Sequence, residues 1–127
     1  MKKLILLAFA GFLCVTQSHA QQLQKPIMEI PEEDWDTCSF GKVANLNPDG
    51  DNFLAVRAGP GTDHEMLDKI HDGENVWIFN HEGPWMGIVY GADGIDCPPV
   101  TAPREYQGPG KKGWVFRKIH QANRGLE

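Results

Sequence analysis

The sequence lacks an extended basic segment. Its 127 residues carry 12 lysines and arginines against 17 aspartates and glutamates, a formal net charge of −5. After residue 20, adjacent basic residues occur only as the pairs Lys111-Lys112 and Arg117-Lys118. We interpret both pairs as ordinary solvated surface. Proteins that neutralise nucleic-acid phosphates need a clustered basic face. The composition therefore argues against nucleic acid as a partner.

Motifs of common catalytic and metal sites are also missing. Ser39 is the only serine after residue 20, and it has no Gly-x-Ser-x-Gly context. Acidic pairs such as Asp63 and Glu65 stand in polar segments, which is typical of solvated carboxylates. The histidines in this part of the chain show no metal-ligand spacing: His64, His71, His81 and His120. We therefore expect that the protein is not an enzyme and that it binds no metal and no cofactor.

The first 20 residues have the three parts of a secretory signal peptide. Two lysines precede an apolar run over residues 4–15, and the small-residue pattern Ser18-His19-Ala20 follows it. This run is shorter than the ~20 residues of a membrane-spanning helix. Cleavage after Ala20 would leave 107 residues, with 10 basic and 17 acidic side chains. We expect a periplasmic or secreted protein without a membrane anchor.

Cysteine is scarce, and its positions suggest one covalent bridge. Of the three cysteines, Cys14 lies within the signal segment, so Cys38 and Cys97 remain. An even pair in an exported chain favours a disulfide. Such a bridge closes a loop of roughly 60 residues and contributes roughly 4 kcal/mol in the chain-entropy model. A metal site would need further ligands at tight spacing, and none stands beside either cysteine.

Apolar residues occur in short bursts separated by turn signals, and no long window carries the 3.6-residue repeat of a helix. Asn47-Pro48-Asp49-Gly50 and Asp72-Gly73 are typical of turns. The predicted strands are Phe40–Leu46, Phe53–Val56, Met66–Ile70, Asn75–Asn80, Trp85–Tyr90 and Gly113–Phe116. The pattern favours an all-β fold, a small barrel of five to six short strands.

Two segments lie outside this strand pattern. Residues 21–37 contain two prolines and an acidic run, which indicates an extended leader in which we expect only Trp35 to pack. The 22-residue segment Gly91–Lys112 precedes the last predicted strand, and loops of this length are usually functional or disordered. Cys97 would tie it to the first strand. The barrel then spans residues 38–121, and residues 122–127 form a tail.

The aromatic residues allow two interpretations. Alternation along the Asn75–Asn80 strand puts Val76 and Ile78 on one face and Trp77 and Phe79 on the other. In the first interpretation, Trp85 and Trp114 pack in the barrel, and the leader or the long segment covers Trp77. In the second, Trp77, Tyr90 and Tyr106 line a groove beside the Arg57–Asp63 loop. The first is favoured because small barrels need large side chains to fill their cores.

Four motifs stand in an order that resembles the bacterial SH3 domain family. They are Leu54-Ala55-Val56-Arg57-Ala58-Gly59-Pro60, Gly73 before the strand that begins near Val76, Trp85 at the start of a strand, and Gly113-Trp114-Val115. The match covers about Phe53 to His120. The resemblance implies an SH3-like barrel in which Arg57–Thr62 forms a long RT-type loop. The long segment before the last strand and the cysteine pair are departures from the family pattern.

The same motifs suggest roles for particular residues. Gly59 and Gly61 would provide backbone angles that other residues avoid, and Pro60 would stiffen the turn. Gly113 would let the backbone pass close beneath neighbouring strands. Trp114 would fill one end of the barrel.

A recognition module for cell-wall peptidoglycan or a peptide is the function that the resemblance implies. The candidate ligand-binding residues are Arg57, Gly59, Asp63, Trp77, Tyr90 and Tyr106. The alternative is a periplasmic protein-interaction partner, such as an inhibitor or an envelope-complex subunit, that uses the Gly91–Lys112 segment.

Overall fold

The computed structural model describes Gly11 and residues 23–31, 37–50 and 52–121. The expected signal segment, apart from Gly11, lies outside the described residues, as do Trp35 and the tail at 122–127. The described part of the chain contains no helix long and apolar enough to cross a membrane.

Within these residues the fold is all-β, as the sequence predicted. The strands are β1 (Met28–Glu29), β2 (Ser39–Val43), β3 (Leu54–Arg57), β4 (Met66–Ile70), β5 (Asn75–Glu82), β6 (Trp85–Tyr90), β7 (Arg104–Glu105), β8 (Lys111–Phe116) and β9 (Ile119–Gln121). All six predicted strands are present; β4 and β6 have the predicted bounds, and the ends of the other four are shifted. Three short strands were not predicted, because two or three residues are too few to carry a periodic signal.

Seven strands form one antiparallel sheet in the order β4-β3-β8-β6-β5-β2-β9, and β1 pairs with β7 in a separate ribbon. Over the described ranges no backbone pairing joins the edge strands β4 and β9, so the expected closed barrel is not formed by hydrogen bonds. Side chains from distant strands of the sheet nevertheless pack together. Val43 on β2 and Ile70 on β4 belong to one buried cluster.

The sheet is buried on both faces. Val76 and Ile78 lie in the inner cluster, whereas Trp77 and Phe79 lie in the outer one, which confirms the predicted alternation along β5. The inner cluster consists of Val43, Leu54, Val56, Ile70, Val76, Ile78, Ile88, Tyr90 and Val115. The outer cluster consists of Ile27, Cys38, Trp77, Phe79, Val89, Tyr106 and Trp114. Buried aliphatic and aromatic side chains on both faces give this small domain two hydrophobic layers.

The outer layer is completed by the leader. Ile27 is fully buried there, which the sequence pattern did not indicate. The Asn80 side chain accepts a hydrogen bond from the Met28 amide at 2.8 Å and donates one to the Met28 carbonyl at 2.9 Å. The indole Nε1 of Trp114 donates to the Lys25 carbonyl at 2.9 Å. These bonds satisfy the leader backbone as a neighbouring strand would.

The long segment is fixed to the same layer. Cys38 and Cys97 form the predicted disulfide, with their Cα atoms 5.3 Å apart and a separation of 59 positions in sequence. The Tyr106 amide donates to the Ile27 carbonyl at 2.9 Å, so this segment also contacts the leader. A structural disulfide indicates an oxidising, extracytoplasmic location.

Two residue-level expectations are wrong. Trp114 is buried, but in the outer cluster and not inside the curved sheet, because Val115 takes the inward position on β8.

Gly59 and Gly61 are not among the glycines with positive φ. At Gly59 a Cβ would lie 2.6 Å from the His64 ring, so close packing and not backbone angle favours glycine there. At Gly113 a Cβ would overlap Val56, which confirms the predicted close approach.

Candidate functional site

A pocket with a volume of about 470 Å³ opens where the leader, β4, β6 and β8 meet. Leu23 of the leader and Leu67 of β4 provide its apolar walls. The remaining lining residues are Asp68, Tyr90, Gly110, Lys111 and Lys112. The volume lies in the range of ~300–1,000 Å³ that is common for small-ligand sites.

Strand pairing brings these residues together from distant parts of the sequence. Tyr90 is the last residue of β6 and pairs with Lys111, the first residue of β8. Gly110, just before β8, has φ of +100°, and a Cβ there would lie 2.8 Å from Val89 and 2.9 Å from the Tyr90 carbonyl. A side chain at position 110 would therefore clash with the floor formed by β6.

Asp68 and Tyr90 form the polar centre of the pocket. The Tyr90 hydroxyl donates to Asp68 Oδ2 at 2.8 Å, and the Lys69 amide donates to Asp68 Oδ1 at 2.8 Å. Lys111 Nζ lies 3.6 Å from Asp68 Oδ2. Burial alone would raise the pKa of Asp68, but the hydrogen bonds from Tyr90 and Lys69, together with the Lys111 charge, lower it below its ordinary value. Asp68 is therefore a carboxylate at neutral pH.

The pocket carries more positive than negative charge. Its lining residues include two lysines and one carboxylate, in a chain whose formal charge is −5. Lys112 Nζ donates to the Tyr106 carbonyl at 3.3 Å, and Lys111 Nζ lies 6.0 Å from the centre of the Tyr90 ring. Such a site suits a ligand with a negatively charged, acceptor-rich group beside an apolar one.

The residues predicted from sequence lie in several places. Arg57 Nη1 donates to the carbonyls of Thr62, at 3.3 Å, and His64, at 2.9 Å, so it closes its own loop. Gly59 is buried in that loop, and Asp63 is exposed on it. These three residues are near one another, but they do not line the pocket beside Tyr90.

The three candidate rings do not share a groove. Tyr90 belongs to the inner cluster, whereas Trp77 and Tyr106 belong to the outer one. Trp77 is 9% exposed and is covered in the outer layer, as the first interpretation of the aromatic residues expected, and Tyr106 is 3% exposed. Trp85, which that interpretation put inside the barrel with Trp114, packs against the outer cluster instead. Of the three candidate rings, only Tyr90 reaches the pocket. The groove of the second interpretation is absent from the described surface.

Sequence reasoning missed most of the pocket. Tyr90 was the one pocket residue among the predicted binding residues, and the pair Lys111-Lys112 was interpreted as solvated surface. Leu23, Leu67 and Asp68 carry no motif, because only the folded sheet brings them next to Tyr90.

A second cavity of about 380 Å³ lies between the leader and β5. Lys25 and Glu82 both line it and form an ion pair with each other. Its charges are therefore matched within the protein, which makes it a weaker candidate for a charged ligand than the Tyr90 pocket. Among the residues that the structure describes, no group of three or more histidine, cysteine, aspartate or glutamate side chains is placed to hold a metal ion.

Comparison of the chain with protein-family models, with curated proteins and with solved structures found no match. The resemblance to the bacterial SH3 domain family therefore rests on the four sequence motifs.

Proposed function

We propose that the protein is an exported binding module of SH3-like type that holds cell-wall peptidoglycan or a peptide in the Tyr90 pocket. The observation that carries the proposal is the pocket itself, with two lysines and two leucines around the Asp68–Tyr90 pair. The disulfide and the signal-like first 20 residues support export to the periplasm or beyond, with cleavage after Ala20. The four motifs support the SH3-like assignment.

The protonation states in the pocket support binding without catalysis. Burial, followed by the hydrogen bond and charge of Asp68, raises the pKa of Tyr90 well above its ordinary value of 10.0. The pKa of Asp68 is lowered. A general acid or base works best with a pKa near the working pH, and both groups are shifted away from neutrality. Tyr90 and Asp68 therefore act as a fixed donor and a fixed charge.

Sedimentation with purified peptidoglycan sacculi tests this proposal. Leu67→Glu places a carboxylate on the pocket wall, and the matched control Met66→Glu adds the same charge at a neighbouring exposed position that does not line the pocket. We expect the wild-type protein and Met66→Glu to sediment with the sacculi, and Leu67→Glu to stay in solution. Wild-type protein entirely in the supernatant would contradict the wall-binding form of the proposal, and equal sedimentation of all three proteins would contradict the site.

A second candidate is binding of an envelope protein by the long segment. Residues 101–105 are exposed, while Cys97 and the buried Tyr106 fix the chain on either side of them. Such a loop is already ordered, which reduces the entropy lost on binding. Replacement of residues 99–103 by glycine and serine keeps both anchors. If this candidate is correct, a partner captured from envelope extract by the wild type is lost with the variant, and an unchanged set of captured proteins contradicts it.

A further inference from the structure

We propose that the Tyr90 pocket recognises the free C-terminal carboxylate of a peptide that ends in a small apolar residue. This inference rests on the proposed binding function and adds to it the chemical group that is recognised. It follows from the hydrogen-bonding capacity left in the pocket and from the shape of its walls.

Each carboxylate oxygen of Asp68 already has a hydrogen-bond donor from the protein. Asp68 Oδ1 accepts from the Lys69 amide, and Oδ2 accepts from the Tyr90 hydroxyl with Lys111 Nζ nearby. The Tyr90 hydroxyl has its single proton committed to Asp68. An incoming ammonium group would have to compete with Lys111 for Asp68. The pocket is therefore poorly suited to a ligand's amino terminus.

The donor atoms are largely unused. A lysine ammonium group has three N–H donors. Among the described residues, Lys112 makes one side-chain hydrogen bond, to Tyr106, and Lys111 makes only the 3.6 Å contact with Asp68. Lys111 pairs with Tyr90 and lies on its side of β8, whereas Lys112 points to the opposite face, where Tyr106 holds its ammonium group. At least two donors of Lys111 therefore remain for a ligand beside Tyr90, and a carboxylate with two acceptor oxygens is a suitable partner for them.

The walls favour a carboxylate that stands next to an apolar side chain. Leu23 and Leu67 line the same pocket as the two lysines, and Gly110 contributes no side chain that would fill it. Inorganic phosphate would satisfy the lysines but would leave the leucines without an apolar contact. A terminal residue such as alanine supplies both the carboxylate and the methyl group on adjacent atoms.

Titration of the purified protein with acetyl-Ala-Ala and with its C-terminal amide tests this inference, with each peptide in the all-L and the all-D form. The two probes differ only in the charge of their last group. We expect at least one form of the acid to bind about tenfold or more tightly than its amide, since hydrogen bonds to charged groups are among the stronger ones. Inorganic phosphate serves as the competitor that lacks an apolar group.

Three lysine variants locate the effect. Lys111→Met should weaken binding of the acid about tenfold and leave binding of the amide unchanged. Lys112→Met should weaken binding of the acid less, because the Lys112 ammonium group lies at the Tyr106 carbonyl. Lys118→Met removes the same charge from an exposed position between β8 and β9 and should leave both affinities unchanged. The comparison of acid with amide on the wild type requires no variant to fold.

Equal affinities for acid and amide would overturn the inference, as would an equal effect of Lys118→Met or competition by phosphate as strong as that of the acid. Absence of binding by either peptide in the millimolar range would also overturn it. If the protein still sediments with sacculi in a Leu67-dependent way, these results reject only the carboxylate inference. If the wild-type protein also fails to sediment with sacculi, the proposed function is rejected together with the carboxylate inference.

Discussion

Tyr90 and Asp68 show how one hydrogen bond shifts two pKa values in opposite directions. Burial, then the contact with Asp68, raises the pKa of Tyr90 above its ordinary value. In Asp68 the effect of burial is outweighed by the bonds from Tyr90 and Lys69, and its pKa falls below 3.8. The folded carboxyl therefore takes up a proton less readily than the unfolded one. Its stabilising effect is present above the unfolded pKa and is lost as the pH falls through the folded pKa.

Tyr90→Phe removes this bond while keeping the ring. We expect the free energy of unfolding to fall by about 1–2 kcal/mol at neutral pH, because a hydrogen bond to a charged group is lost. The difference in unfolding free energy between the variant and the wild type should narrow as the pH falls from the ordinary pKa of 3.8 through the lower pKa of the folded Asp68. Urea denaturation over a series of pH values measures it.

Tyr106→Phe is the matched control for that experiment. The Tyr106 hydroxyl donates to the Pro109 carbonyl at 2.7 Å, and this acceptor does not titrate. The fall in unfolding free energy that Tyr106→Phe causes should therefore depend less on pH over the same range. A Tyr90→Phe difference that stays constant with pH would contradict the charged state assigned to Asp68.

At the scale of elements, the leader belongs to the folded domain. Ile27 is fully buried against the outer cluster, whereas Ile30, three residues later, is 37% exposed. Ile27→Ala should therefore lower the free energy of unfolding by about 2–5 kcal/mol, the usual range for a cavity left by isoleucine. Ile30→Ala should change it far less, because little buried contact is lost. Similar losses from the two variants, measured by chemical denaturation, would show that the leader does not pack as described.

The long segment depends on the disulfide in the same way. The bridge joins residues that are 59 positions apart, so the chain-entropy model assigns it roughly 4 kcal/mol. We expect Cys97→Ser to lower the melting temperature markedly, and the wild-type protein to show no free thiol among Cys38 and Cys97 after denaturation without reductant. Two titratable thiols from this pair in the purified protein would contradict the bridge.

The strands and their faces could be predicted where the signal is local. Alternation along β5 identified both faces of that strand, and turn residues such as Asp72-Gly73 marked strand ends. The even cysteine pair predicted the bridge. The cover of the outer face could not be predicted, because Ile27 and Asn80 acquire their roles only through contacts across more than 50 residues. Trp114 was placed on the wrong face because a short motif does not state which side of the sheet its first residue takes.

At the scale of the whole molecule, the candidate site is formed where separate parts of the fold meet. The leader provides Leu23, β4 provides Leu67 and Asp68, β6 provides Tyr90, and the start of β8 provides the two lysines. The same arrangement explains why motif reasoning chose other residues. The loop at Arg57 is recognisable in sequence, but the Arg57 side chain donates its hydrogen bonds to the carbonyl groups of Thr62 and His64.

The central claim is that a wall-derived or other peptide binds in this pocket. The most direct test is a two-dimensional ¹H–¹⁵N spectrum of the protein titrated with soluble peptidoglycan fragments. We expect saturable shifts of the backbone amides of Leu67, Asp68, Tyr90 and Lys111, with Met28 and Phe79 beside the second cavity unaffected. No saturable shift, or shifts confined to Met28, Phe79 and their neighbours, would contradict it.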